Sequence, residues 1–319
     1  MKKQLAVYYE HPHWFKPLFC ELEARGIEYC RLDATRHLYD PRSSYERDLY
    51  SIVFNRMSPS AYLRGNGNGI FYTLGYLRHL ERLGLRAVNG SRAYEMEINK
   101  GLQLQHLHSL GLGYPRAVVI NHPSLAPNAA RDLRFPIVVK ANIGGSGAGI
   151  VRYDTIEQLE HSVAYDELDL GVDGTALVQE YVTARDGRIT RVETLGGKYL
   201  YAINVYTTGE SFNLCPADIC RTTGGVELTR SACPVDAPKS GLRVEQVIPP
   251  AEVIDAVERI VRGAHIDVGG VEYMVDERDG SVLYYDVNAL SNFVADARNV
   301  IGFDPHERLV DFLVREAHN

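Results

Sequence analysis

The sequence predicts an α/β lobe followed by two α+β lobes. Three observations carry this. Short apolar strands alternate with helices over residues 1–88, as in a parallel sheet. A strand ending on Lys140 runs into a glycine-rich loop and out into a second strand. Four strand-like runs after residue 188 pair in sequence-adjacent couples, which favours antiparallel sheets.

In the first lobe (1–88), Leu5–Tyr9 is a short buried strand. Phe15–Arg25 is helical, with Leu18, Phe19 and Leu22 on one face and Gly26 ending it. Tyr29–Leu32 and Ser51–Asn55 are strands, separated by a polar loop over Thr35–Glu46. The glycines at 65, 67 and 69 form a flexible loop ahead of a helix over Ile70–Leu83.

The second lobe (89–175) opens with a helix over Arg92–Leu110, with Ser91 as its N-cap and Leu104, Leu107 and Leu110 buried. Pro115–Ile120 and Ile137–Lys140 are strands, and Thr155 caps a helix carrying Ile156, Leu159 and Val163. The third lobe (176–319) begins with the strand Ala176–Val182. Strands follow over Ile189–Leu195, Tyr199–Tyr206, Gly270–Val275 and Val282–Val287. Among them lies a helix started by Pro249 and Pro250, with Val253, Val257, Ile260 and Ala264 as its apolar stripe.

Composition is that of a soluble globular chain, with 45% hydrophobic and 24% charged residues. The net charge of −7 argues against nucleic acid as an obligate partner. No apolar run is long enough to span a bilayer, so no membrane partner is expected and the location expected is cytoplasmic. The five cysteines (20, 30, 215, 220 and 233) lack zinc spacing and are expected as free thiols. His11, His13, His106 and His108 are expected at the solvent.

Chemistry is concentrated at Lys140 and the loop after it, where Gly144, Gly145, Gly147 and Gly149 surround Ser146. Glycines let backbone N–H groups approach phosphate oxygens, and a lysine adds positive charge. No Gly-Lys-Ser/Thr follows, so this is not a Walker loop, and the chain re-enters a strand rather than a helix. A β-hairpin lid over a nucleotide fits both facts. Later, Glu272 and Asp286 lie on neighbouring strands, and Asn288, two residues on, leaves the same face as Asp286. Three oxygen ligands on one face suit Mg²⁺.

The order of these pieces resembles the ATP-grasp superfamily, most of all its ribosomal-protein glutamate ligase and glutathione synthetase branch. The pieces are a helix with Lys100, a strand with Lys140, glycines, a strand ending Gln179-Glu180-Tyr181-Val182, then Glu272 and Asp286-Val287-Asn288. The resemblance implies an ATP-grasp fold, with an α/β lobe preceding two α+β lobes that sandwich ATP. It assigns Lys100 and Lys140 to phosphates, and Gln179, Glu180, Tyr181 and Val182 to adenine and ribose. It assigns Glu272, Asp286 and Asn288 to Mg²⁺, for which Mn²⁺ could stand in. The first two acids exchange their usual identities, since the family more often has aspartate and then glutamate.

Arg191 matches a family arginine that approaches phosphate or substrate, and its planar fork suits paired oxygens. Arg191 and Lys140 are thus the candidate catalytic residues. Asn213 resembles the asparagine ahead of the family's acceptor loop, but the run from Cys215 to Arg221 departs from the glutamate ligases, so the acceptor should differ. Arg56, at the end of a first-lobe strand, could hold a substrate carboxylate. Arg221 and Ser291 are further substrate candidates, and Asn292 is expected beside Ser291.

The activity implied is ATP-dependent carboxylate–amine ligation through an acyl phosphate. Substrates would be a small molecule or peptide bearing a carboxylate, together with an amine acceptor. Homodimers are common among such enzymes. A small-molecule kinase and a non-catalytic ATP-binding protein remain the alternatives.

Overall fold

The computed structural model describes residues 3–11, 13–144, 149–206, 220–221, 226–228 and 243–318. Strands β1 (Gln4–Tyr9), β2 (Tyr29–Asp33), β3 (Tyr50–Arg56) and β4 (Arg86–Val88) form a parallel sheet in the order β2-β1-β3-β4. Helices α1 (Lys16–Ala24), α2 (Tyr45–Leu49) and α3 (Gly67–Arg82) connect them. Alternate strand residues bury opposite ways. Leu5, Val7, Ile52 and Phe54 join the core that contains α1, while Ala6, Tyr8 and Val53 pack with Ile70, Leu77 and Leu80 of α3. Helix α3 starts three residues earlier than the sequence predicts, so Gly67 and Gly69 lie inside it. A side chain at Gly69 would press on Met57 at 3.0 Å, so close packing explains that glycine better than flexibility.

The helix expected over 92–110 is two helices, α4 (Ser91–Glu97) and α5 (Lys100–Ser109). Asn99 breaks it. Its backbone is extended and its side chain accepts the Leu102 N–H at 2.9 Å, capping α5. Ser91 is not a cap. It is the first residue of α4, and its N–H and hydroxyl both donate to Glu81 at 2.7 Å. The break makes Lys100 the first residue of α5.

Next come β5 (Ala117–Ile120), α6 (Ala126–Ala130), β6 (Ile137–Ala141), β7 (Ile150–Tyr153), α7 (Ile156–Ala164) and β8 (Ala176–Glu180). Strands β9 (Arg188–Leu195), β10 (Lys198–Tyr206), β11 (Cys220–Arg221), β12 (Val226–Leu228) and β13 (Val244–Val247) follow. The chain then runs through α8 (Ala251–Gly263), β14 (Val268–Val275), β15 (Val282–Asn288), α9 (Ala297–Ile301) and α10 (Pro305–His318).

Two further sheets result: β11-β12-β7-β6-β8-β5 and β13-β10-β9-β14-β15, both antiparallel. Strand β8, expected to open the third lobe at residue 176, pairs instead with β6 and β5. Strands β11 and β12 also join this sheet, so the division expected at 175/176 does not follow the sheets. The reason is pairing: the apolar run of β8 is buried only between β5 and β6.

One face of the six-stranded sheet packs on α6 and α7 through Ile137, Val139, Val178 and Leu159. The five-stranded sheet packs one face on α5 and α8 through Val192, Val271, Val257 and Ile260. Its other face, with Tyr201, Ile203 and Met274, shares a core with α1, α10 and the first sheet. No helix among the described residues is long and apolar enough to cross a membrane.

Candidate active site

Lys100 and Asp286 meet. Lys100 Nζ donates to Asp286 Oδ1 at 2.8 Å, and Asn288 Nδ2 donates to Asp286 Oδ2 at 3.1 Å. Two amide side chains bring them there. Gln103, one turn beyond Lys100, donates to the Val287 carbonyl at 2.9 Å and accepts the Val287 N–H at 3.1 Å. That pair of bonds fastens α5 to β15 one residue from Asp286. Asn142, at the end of β6, accepts the Gly101 N–H at 2.9 Å, and its own carbonyl accepts the Lys100 N–H at 3.4 Å. The strand of Lys140 is thereby tied to the helix of Lys100. Gly144 lies over Lys100, since a Cβ there would stand 3.6 Å from its Cε. Lys140, Gly144, Lys100 and Asp286 therefore belong to one locality.

Period-two alternation sets what else faces that locality. Val138, Lys140 and their cross-strand partners Gln179 and Leu177 share the face of the six-stranded sheet turned away from α6 and α7. Val138 and Tyr181 form a small apolar cluster with Ile150, and the Arg152 guanidinium covers the Tyr181 ring at 4.8 Å. Gln179 is buried, and its Oε1 has no hydrogen-bond partner among the described residues. An apolar patch beside an unmet acceptor fits a heteroaromatic ring carrying an amino group.

Glu180 departs from expectation. Opposite Ile137, its side chain leaves the other face and accepts from Arg134 N at 3.1 Å and Arg134 Nη2 at 3.3 Å. Its backbone N–H also donates within the chain, to the Arg116 carbonyl at 2.9 Å. Val182 is buried in the core shared with the first sheet.

The acid set is also partly revised. Glu272 and Asp286 are directly opposite across β14 and β15, as the hairpin predicts. The register then slips between Glu272 and Tyr273, leaving Tyr285 as the extra residue of a bulge. Its hydroxyl donates to Glu272 Oε2 at 2.7 Å. The other oxygen, Oε1, accepts from Arg191 Nη1 at 2.7 Å. Glu272 is fully buried with both oxygens engaged; both Asp286 oxygens are engaged too, by Lys100 and Asn288, but Asp286 and Asn288 are half-buried at the edge strand, where an incoming ion could reach them.

Arg191 is likewise turned inward. Its Nε donates to Glu193 Oε1 at 2.6 Å and its Nη2 to Ser291 Oγ at 3.3 Å. The guanidinium is 3% exposed and held by two carboxylates, so an approach to phosphate is not its arrangement here. Gly270 makes the room: a Cβ there would stand 2.9 Å from Arg191 Nη2 and 3.0 Å from Glu193 Oε1.

Arg56 closes β3 and joins this cluster through the chain after β15. Its Nη2 donates to the Ser291 carbonyl and, at 2.9 Å, to Asn292 Oδ1. Burial pushes its pKa down to about 9, leaving it charged at neutral pH. The same segment is held elsewhere by Glu97, whose carboxylate accepts the Ala289 N–H and, at 3.1 Å, the Leu290 N–H. Burial, then nearby Asp286, pushes the Glu97 pKa up to about 7. Phe293 follows with φ +58°, a left-handed backbone that a bulky residue adopts only when its surroundings impose it.

Sequence reasoning missed Gln103, Asn142 and Glu97. Asn142 had a signal, two residues past Lys140 on the same strand face; Gln103 and Glu97 act through contacts with no local pattern. Gly149 is exposed at the start of β7. Gly145, Ser146, Gly147 and Asn213 lie outside the described residues, and of Arg221 only the backbone, paired in β11, is described. Among the described residues, Cys20 and Cys30 are free thiols, and no cluster of three His, Cys, Asp or Glu suits a metal ion. His106 is half-buried rather than exposed, 2.9 Å from the Ile260 carbonyl.

No family model matches the chain. A probable α-L-glutamate ligase 2 of Shewanella frigidimarina is 32% identical over 134 residues, 42% of this chain and 44% of the relative. A probable α-L-glutamate ligase of Saccharophagus degradans is 31% identical over 179 residues, 55% of each. The chain thus spans about half the length of the curated relatives it matches. Solved structures match throughout. D-cycloserine synthetase DcsG superposes with a TM-score of 0.68 at 18% identity, covering 98% of this chain and 99% of that one. The ATP-grasp ligase PsnB, complexed with a minimal precursor, gives 0.67 at 18% identity over 98% and 99%. D-alanine–D-alanine ligase from Bacillus anthracis, complexed with ATP, gives 0.63 at 15% identity over 100% and 97%. The chain thus has the fold of these ATP-grasp ligases, and over about half its length it resembles the α-L-glutamate ligases.

Proposed function

We propose that the protein is an ADP-forming carboxylate–amine ligase. The observation that carries this is the convergence of Lys100, Lys140, Asp286 and Asn288 through Asn142 and Gln103. Two cations beside a carboxylate and an amide suit a triphosphate with its divalent ion. Val138, Ile150 and Tyr181 would cover adenine, and Gln179 Oε1 would accept from its amino group. Lys100 and Lys140 would hold phosphate oxygens, with Lys100 leaving Asp286 to do so. Asp286 and Asn288 would hold Mg²⁺, which when bound neutralises phosphate charge.

In the reaction, a substrate carboxylate oxygen attacks the γ-phosphorus and ADP leaves. An amine then attacks the acyl carbon, the carbon–oxygen bond to phosphate breaks, and the amine loses a proton. No covalent enzyme intermediate is needed. The residues orient and neutralise. Arg191 serves as a positioning residue, keeping Glu272 and Ser291 in place. PsnB is seen with a precursor peptide and AMPPNP in one structure, and with Mg and ADP in another, and D-alanine–D-alanine ligase is seen with ATP. A peptide or a small amine is therefore a reasonable acceptor to test.

The test is ADP release with ATP and Mg²⁺ over pairs of amino acids and short peptides, with hydroxylamine as a trap. A ligase gives a hydroxamate of the activated acid. A stable phosphoester would instead assign a kinase. Lys140→Ala and Asp286→Ala should each lower ADP release by roughly 100-fold or more; turnover at the wild-type rate in both would remove this site.

A further inference from the structure

Strand β9 carries two sets of polar groups back to back. Arg191 and Glu193 lie on one face with Glu272. By period-two alternation, Arg188 and Thr190 leave the other face with Val192, toward α8. There, three polar side chains stand side by side across three strands: Asn204 of β10, Thr190 of β9 and Tyr273 of β14 are register partners. All three are buried, and Thr190 Oγ1 donates to Asn204 Oδ1 at 2.7 Å. Neither the nucleotide nor the metal ion proposed above would touch them.

A cavity of about 180 Å³ opens over this rung, where α8 begins. Val253, Val275, Val282 and Ile248 supply apolar walls, and Ile248, on the loop into α8, is 79% exposed. An apolar cavity of about 150 Å³ takes a benzene ring. This one therefore takes a ring or a branched chain with a small head group.

Two arginines line the same cavity, Arg185 and Arg188. Among the described residues Arg185 makes no ion pair within 4 Å, and Arg188 has only Asp186 at 3.9 Å, with both of those side chains well exposed. Other acids of this region are already taken. Asp276 holds Arg278 at 2.6 Å, and Glu245 accepts from Tyr206 and Arg243. Gly280 lets Arg185 lie over the β14–β15 turn: its φ is +78°, and a Cβ there would stand 2.8 Å from Arg185 Nη2. Two guanidinium groups with donors to spare, beside an apolar cavity, are complementary to an oxyanion on an apolar body.

We propose that this cavity is a second ligand site, for a small apolar oxyanion. The head, a carboxylate or phosphate, rests on Arg185 and Arg188, and the body lies against Val253, Val275 and Val282. The site is on the opposite face of the five-stranded sheet from Arg191 and Glu272, so it is separate from the proposed reaction centre and does not rest on the ligase reading. A ligand there would brace the turn Arg185–Gly187, which leads from β8, the strand of Gln179, into β9.

The test is titration of the whole chain followed by backbone ¹⁵N shifts. The probes are benzoate, phenyl phosphate and isovalerate. Their controls are benzamide, which lacks the charge, and acetate and inorganic phosphate, which lack the body. Benzoate should shift Arg188, Thr190 and Tyr273 with a Kd of about 1 mM or tighter, within the per-atom range of small ligands. The controls should bind about tenfold more weakly or worse. The tighter of benzoate and phenyl phosphate assigns the head. Arg185→Gln combined with Arg188→Gln should weaken benzoate about tenfold or more, and because both side chains reach solvent the variant should fold. Val275→Phe, which fills the cavity, should block benzoate from the apolar side.

The proposal falls if no probe binds at about 10 mM, or if benzamide or acetate matches benzoate. It falls too if the shifts lie elsewhere, or if the double arginine variant binds as wild type does. Complete displacement of benzoate by Mg·AMPPNP would put the probe in the nucleotide site and overturn the proposal as well.

Discussion

Lys100 and Asp286 lie 2.8 Å apart, each less than one-fifth exposed, so the cation proposed for phosphate and the anion proposed for the metal neutralise one another. The pair keeps both charges in place at little cost to solubility. On the proposed assignment, nucleotide and divalent ion should enter together, because each would displace the other's placeholder. Asp286→Asn should therefore weaken Mg·ATP binding about tenfold or more, while Lys100→Met leaves Asp286 unneutralised and lowers ATP affinity even where Mg²⁺ is saturating. Isothermal titration with AMPPNP, with and without Mg²⁺, separates the two. Tight AMPPNP binding by wild type without any divalent ion would contradict the joint entry.

The Arg191–Glu272 pair makes a different prediction. Both groups are buried, with Nη1 and Oε1 2.7 Å apart, and breaking a buried pair by removing one charge costs about 3–5 kcal/mol. Glu272→Gln should lose stability on that scale in urea denaturation, yet retain Mg²⁺-dependent AMPPNP binding, because Asp286 and Asn288 remain. Gly270→Ala should cost stability too, since the added methyl would stand 2.9 Å from Arg191 Nη2. If Glu272→Gln abolishes Mg²⁺ dependence while leaving stability unchanged, Glu272 is a ligand after all.

Much of this fold was legible in the sequence because its signals are local. Period-two runs gave β1, β3, β6 and β9 close to their observed limits, and proline and apolar spacing gave α8. The resemblance singled out Lys100, Lys140 and Asp286, which the fold brings to one locality. What was not legible depends on partners far along the chain. Asn99 looked like one polar residue in a long helix until its capping bond ended one helix and began another. Glu272 looked like a ligand because spacing reports the strand face and not what already occupies it. Strand β8 looked like the opening of a new lobe because an apolar run does not say which strands will cover it.

Glu97 ties stability to pH. Its pKa rises from the usual 4.5 to about 7 because burial disfavours the charged form. A carboxyl so raised contributes stability that is complete below about pH 4.5 and lost as pH climbs to 7. The loss attributable to Glu97 is about 3 kcal/mol, at 1.36 kcal/mol per unit. Glu97→Gln keeps an acceptor oxygen for the Ala289 and Leu290 N–H groups without titrating. Denaturation at pH 5, 6, 7 and 8 should show the wild type falling relative to the variant over this range in the ligand-free protein. Parallel curves would mean Glu97 ionises normally.

Asn89 joins the first sheet to β14 and to the residue after β15, and should be among the most sensitive amides in the molecule. Its Nδ2 donates to Val268 O at 2.7 Å and Ala289 O at 2.6 Å, and its Oδ1 accepts from Asp267 N at 2.8 Å and Val268 N at 3.1 Å. Its own carbonyl accepts from Asn55 Nδ2 of β3 at 3.1 Å. The backbone sits at φ +53°, which asparagine tolerates better than alanine. Asn89→Ala loses four side-chain bonds and strands buried backbone groups, for a cost of about 3 kcal/mol or more. Asn89→Gly loses the same bonds but relieves the backbone, so it should be more stable than Asn89→Ala by about 1 kcal/mol. Because Ala289 directly follows Asn288, both variants should also weaken Mg²⁺-dependent nucleotide binding. Wild-type stability in either variant would show that the first sheet is held to β14 by apolar packing alone.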